Sequence, residues 1–153
     1  MPTAPPVAPV STTVEDLRDG PRRYDAEARL ASLATPRYRL DLADWGDPTH
    51  PPVVFVHGMA DQMKSFCLVQ ARLVDAGFRC VSYELADGYH DGANLSHYGH
   101  AEFVADLFAL LDHLKLDSVD LVGASFGSTV ALKAAVTQPG RFRRLVQIGR
   151  AHV

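Results

Sequence analysis

Cysteine is scarce: Cys67 and Cys80 are the only two among 153 residues. A disulfide framework needs more, and no second pair offers a zinc site, so both read as small buried hydrophobes, one on a helix and one on a strand. Long apolar runs are missing too. No stretch approaches the roughly 18 consecutive apolar residues that a membrane span requires, and the first ten residues lack the cationic start and apolar core of a signal peptide. A cytoplasmic chain with no membrane span is expected. Nor does one sign of charge dominate: fifteen Lys and Arg against eighteen Asp and Glu leave a net charge of −3. That balance gives no electrostatic reason to expect nucleic acid or an anionic membrane as partner. The single basic cluster, Arg141, Arg143 and Arg144, reads as a solvated turn, and no internal repeat is present. What remains is the composition of a soluble globular protein, 47% hydrophobic and 22% charged, with length for one core.

Four of the ten prolines fall in the first nine residues, and residues 1–20 are expected to form a disordered leader. Asp19, Gly20 and Pro21 make a helix-start signal, which places a short helix within residues 21–36, with Tyr24, Ala28 and Leu33 sharing a side. Beyond Pro36 the punctuation becomes regular. Residues 38–42 alternate as a strand, and Gly46, Asp47 and Pro48 make a turn. The unbroken apolar run 53–56, bounded by Pro51, Pro52 and Gly58, suits a parallel strand buried on both faces. Phe66, Val69 and Leu73 recur at helical spacing before Gly77. A strand over 78–85 follows, then a helix marked by Phe103, Leu107, Leu110, Leu111 and Leu114. A strand at 119–122, a helix at 128–136 and a strand at 144–148 complete the alternation. This order predicts an α/β fold with a mostly parallel sheet and helices on both faces.

Chemistry concentrates at Gly123-Ala124-Ser125-Phe126-Gly127, a G-x-S-x-G sequence with a strand before it and a helix after it. A serine on such a turn must hold strained backbone angles, and the flanking glycines leave room for strand and helix to cross. The alternative is a tightly packed turn with no chemistry. At this point residues 37–149 resemble the α/β-hydrolase family. Val53-Val54-Phe55-Val56-His57-Gly58-Met59 looks like its third strand and oxyanion loop, and residues 84–92 take the place of the Gly-rich loop after its fourth strand. The resemblance implies a serine hydrolase, esterase- or lipase-like, acting on a small-molecule ester or related acyl compound without cofactor or metal. It makes Ser125 the nucleophile and the backbone N–H groups of Met59 and Phe126 the oxyanion hole, with His57, Gly58, Gly123 and Gly127 in structural roles. Serine here also speaks against haloalkane dehalogenases and epoxide hydrolases, relatives that carry aspartate at the elbow. Esterase, thioesterase, peptidase, acyltransferase, carbon–carbon bond hydrolase and haloperoxidase chemistries share the serine elbow.

An alcohol is a poor nucleophile at neutral pH, so Ser125 needs a histidine base oriented by a carboxylate. The family order of serine, acid and histidine puts both partners downstream, whereas this sequence ends 28 residues after Ser125. Local histidines are weak substitutes. His57 belongs to the oxyanion loop. His90, His97 and His100 lie with Asp87 and Asp91 in a polar segment whose spacing matches no closed zinc pattern, and His152 stands too near the elbow. The chain is therefore expected to be the amino-terminal part of a longer enzyme and inactive by itself. Residues 147–153 can be encoded by CAG ATC GGA AGA GCA CAC GTC, which after its first base reads as a sequencing-library adapter, so residues 148–153 are expected to be a non-native tail. The rival from another class is a non-catalytic ligand-binding protein on the same fold. A dinucleotide site is disfavoured, because residues 123–128 match neither glycine-rich phosphate motif. Met59, Met63, Phe66 and Phe126 fit an apolar acyl pocket and core packing equally well.

Overall fold

A computed structural model describes residues 13–86 and 99–149 of the chain. Its apolar runs form six strands, β1 (Arg29–Ala34), β2 (Arg39–Trp45), β3 (Pro52–Val56), β4 (Arg79–Tyr83), β5 (Val119–Ala124) and β6 (Phe142–Ile148). They make one sheet in the order β1-β2-β4-β3-β5-β6. β1 and β2 are antiparallel to their neighbours, while β3, β4, β5 and β6 run parallel. The central strands are buried on both sides, which is why β3 and β5 read as continuous apolar runs without alternation.

Helices cover both faces: α1 (Val14–Glu27) and α2 (Cys67–Asp75) on one, α3 (His100–His113) and α4 (Phe126–Thr137) on the other. Phe103, Leu107, Leu110 and Leu111 of α3 recur every three to four residues, so one stripe of that helix meets the sheet. Together with Val130, Ala131 and Ala134 of α4 they close over Leu40, Val54, Val56, Tyr83 and Leu121. On the opposite face Tyr24 meets Trp45 edge to face at 5.8 Å, with Cys67 and Ala71 beside them. Phe55, Phe66, Cys80 and Val122 fill the layer under α2. Both cysteines are buried and free.

The amino-terminal part departs from expectation. The helix does not start at Pro21: it starts after Thr13, whose hydroxyl and backbone N–H exchange hydrogen bonds with Asp16 in a capping box. Pro21 lies inside it, and Gly20 lets it press on α2, since a Cβ there would sit 2.7 Å from the Leu68 side chain. Residues 14–20 are thus helical rather than a disordered leader, while residues 1–12 lie outside the described part. Nor does the helix reach residue 36. Residues 29–34 pair with β2 as an edge strand, so the sheet begins ahead of residue 37. The basic cluster is not a solvated turn either: Arg143 and Arg144 stand on β6 and pair with Asp120 of β5, and Arg141 reaches Asp112. Gln147 and Ile148 pair with Gly123 and Ala124 through the backbone.

No helix among the described residues is long and apolar enough to cross a membrane. The parallel register also sets up the site. Phe55 lies opposite Ser82, and Val56 opposite Gly123, so the chain leaves β3, β4 and β5 at the same sheet edge. There Glu84 comes beside His57, and Gly58 beside Ser125.

Candidate active site

Ser125 occupies the turn between β5 and α4 with φ +52° and ψ −117°. These are angles that a side chain normally avoids, at a cost of about 1–3 kcal/mol. Four contacts hold the turn. The Ser125 N–H donates to the Ile148 carbonyl at 2.9 Å and its carbonyl accepts from the Ser128 N–H at 3.0 Å. The Ser128 hydroxyl donates to the Gly123 carbonyl at 2.7 Å, and Gln147 Nε2 donates to the Ser128 carbonyl. Close packing completes the restraint: a Cβ on Gly127 would stand 2.1 Å from the Val56 carbonyl oxygen, and one on Gly123 2.5 Å from that of Gly127. Ser125 is consequently lifted clear and exposed, and its Oγ makes no hydrogen bond to another described residue.

Opposite it runs the loop that leaves β3. A Cβ on Gly58 would lie 3.2 Å from Ser125 Cβ and 3.7 Å from its Oγ, so any side chain at that position would cover the hydroxyl. Met59 follows, with its side chain exposed. The N–H of Met59 has no acceptor among the described residues. Phe126 opens α4, where the first N–H groups of a helix lack intrahelical partners and carry partial positive charge. Its ring is clasped by His100 at 5.4 Å and Phe103 at 5.2 Å. The Met59 loop and the first turn of α4 thus lie on either side of the elbow, the Gly58 Cβ position being 3.2 Å from Ser125 Cβ.

His57 is 3% exposed, and both ring nitrogens are committed. Nδ1 lies 2.7 Å from the Gly58 carbonyl, while Nε2 accepts from the Leu85 N–H at 3.1 Å and lies 3.1 Å from Glu84 Oε2. Burial works to lower its pKa, yet the hydrogen bonds to Glu84 and Gly58 outweigh it and leave the ring more basic than an ordinary imidazole. Neither nitrogen is turned to Ser125 as a base. His90, His97, Asp87 and Asp91 lie outside the described residues, as does His152. His100 opens α3. Sequence inspection missed Glu84, because its tie to His57 depends on strand pairing. Counting two residues beyond the Phe55–Ser82 pair puts the two side by side, a signal available only once the β3–β4 register is known.

A family model described as the alpha/beta hydrolase fold matches residues 51–152. The chain belongs to that family, and hydrolases are prominent among the relatives it matches. It is 36% identical over 114 residues to 2-hydroxy-6-oxo-2,4-heptadienoate hydrolase of Pseudomonas putida, covering 67% of this chain and 38% of that protein. It is 31% identical over 131 residues to an epoxide hydrolase of Caballeronia sordidicola, covering 84% of this chain and 37% of that protein. Among solved structures, epoxide hydrolase A from Mycobacterium thermoresistibile superposes with a TM-score of 0.72 at 28% identity, over 78% of this chain and 38% of that one. The chain thus spans about two fifths of the length of the curated relatives it matches.

Proposed function

We propose that the complete protein is a serine hydrolase in which Ser125 attacks the carbonyl carbon of a small-molecule ester or related acyl compound. Oγ forms a bond to that carbon while its proton passes to a base supplied by the rest of the protein. The Met59 and Phe126 N–H groups stabilise the oxyanion, in the kind of role where deleting one donor typically costs about 10²–10³ in rate. Collapse of the tetrahedral species breaks the bond to the leaving alcohol, which takes up the proton. Water then cleaves the acyl-serine, yielding the acid and free Ser125. The observation that carries this reading is the positive φ of Ser125, a strained and braced turn that leaves its hydroxyl exposed. Strain of this kind on a residue other than glycine is kept where the surrounding structure enforces it.

A second reading has a specific observation behind it. Relatives named for hydrolysing 2-hydroxy-6-oxo-2,4-heptadienoate and 2-hydroxymuconate semialdehyde take substrates whose names denote ketone and aldehyde carbonyls, not esters. In that case Ser125 would attack a ketone or aldehyde carbonyl, and the bond broken would be carbon–carbon, the departing carbon keeping the electron pair and taking up a proton. The test begins with exposure of the complete reading frame's product to a fluorophosphonate, followed by mass spectrometry. One adduct at Ser125, lost in Ser125→Ala, is the expected result, and turnover of an aryl ester against a hydroxy-oxo-dienoate then separates the two readings. A folded complete protein that takes no label would refute Ser125 as an activated nucleophile and turn the reading toward ligand binding.

A further inference from the structure

We propose that Glu84 is a positioning residue that aims the Met59 N–H, acting through the His57 ring and the Gly58 carbonyl. The inference deepens the serine-hydrolase reading and takes its chemical meaning from it. One carboxylate ties the β3 loop at two points. Oε1 accepts from the Met63 N–H at 3.0 Å, and Oε2 lies 3.1 Å from His57 Nε2. The segment between those points carries the oxyanion donor. Inside it, the Gly58 carbonyl is held by His57 Nδ1 at 2.7 Å and by the Asp61 N–H at 3.2 Å. The peptide unit is planar and trans, so the C=O of Gly58 and the N–H of Met59 point in opposite directions. Pinning the oxygen inward turns the N–H outward, toward the side where Ser125 stands 3.2 Å from the Gly58 Cβ position.

The ring transmits charge as well as geometry. When His57 is neutral, Nε2 accepts from the Leu85 N–H and the single proton sits on Nδ1, donating to Gly58. When His57 is protonated, Nε2–H donates to Glu84 and the bond from Nδ1 to Gly58 becomes charge-assisted, hence shorter and stronger. The charged groups that act on the ring are Glu84, from the end of β4, and Asp61, from the β3 loop; both favour the proton. Glu84 is the one that touches it.

Glu84→Gln keeps an acceptor for Met63 and removes the charge, and Glu84→Asp keeps the charge on a shorter stem. In ¹⁵N-labelled protein of this chain, Glu84→Gln is expected to lower the His57 titration midpoint by about one pH unit. It should also shift the Met59 amide resonance, which Glu84 does not touch, and Glu84→Asp should restore part of both. An unchanged His57 midpoint and Met59 amide, with only Met63 displaced, would overturn the proposal. In the complete enzyme, phosphonylation of Ser125 should slow about tenfold in Glu84→Gln, in line with misaiming rather than deleting an oxyanion donor, with saturating reagent concentration unchanged and the pH profile displaced. A rate equal to wild type at every pH also overturns it. Should the wild-type complete protein take no label, the hydrolase reading falls while the resonance data still decide what Glu84 does.

Discussion

Gly127→Ala is the sharpest perturbation of the elbow. The new methyl would be placed 2.1 Å from the Val56 carbonyl oxygen and 2.6 Å from that of His57. Both obstacles are backbone, so neither can swing aside, and α4 must withdraw from β3 by about 1 Å to restore a normal contact. Forcing a methyl into a filled space costs about 1–3 kcal/mol. Withdrawal adds a second cost, because Val130, Ala131 and Ala134 are wholly buried on the same helix. A gap of 0.5–1 Å forfeits about a quarter to a half of each dispersion contact, and a buried valine alone is worth about 1.5–3 kcal/mol. The expected loss is therefore about 3 kcal/mol. Gly140→Ala is the control, since a Cβ there meets nothing within 4 Å; its effect should lie between zero and about 0.5 kcal/mol of stabilisation. Urea titrations followed by far-ultraviolet circular dichroism, compared at constant m-value, give both numbers. Should the two variants differ by less than about 1 kcal/mol on that scale, the close crossing of α4 and β3 does not hold the elbow.

Further consequences are open to measurement. Asp106 of α3 is 4% exposed and bonded to Arg37, so Asp106→Ala removes a charge-assisted hydrogen bond and should cost about 1–3 kcal/mol by thermal or chemical melting; a loss near zero would show that the pair contributes nothing. The folded state raises the pKa of His57 above its ordinary 6.5. Its protonated ring therefore stabilises the fold fully below about 6.5, and that contribution disappears as pH rises through the higher folded midpoint. Plots of unfolding free energy against pH should accordingly fall less steeply over that interval in His57→Gln than in wild type, and parallel plots would contradict the raised value. Burial pushes the Cys80 thiol up to about 12 and raises that of Cys67. Neither should react with Ellman's reagent in the native chain at mildly alkaline pH, and both should react in urea, whereas rapid native labelling would show that the sheet opens at α2.

What could be read from the chain alone follows the range of the interactions. β3 and β5 were legible because strands buried on both faces must be apolar throughout, and Pro51, Pro52 and Gly58 mark the limits of β3. The elbow was legible because its parts are contiguous. β1 was not, since only Leu33 of its six residues is even partly buried, so no alternation marks it. α1 was misplaced because Pro21 suggests a start, whereas the capping box that begins the helix is made by Thr13 and Asp16. The loop after β3 lay between these cases. Its residues were singled out by likeness, but its bracing was not legible, because His57 and Glu84 meet only when β3 and β4 pair in parallel with Phe55 opposite Ser82. The same logic reaches Ser125. Val56 faces Gly123 across β3 and β5, so the residues leaving those two strands, Gly58 and Ser125, must confront each other at the sheet edge. Shifting that register by one residue would part them, whatever the G-x-S-x-G motif does locally. The motif supplies the strained serine; the strand order β4-β3-β5 supplies everything that faces it.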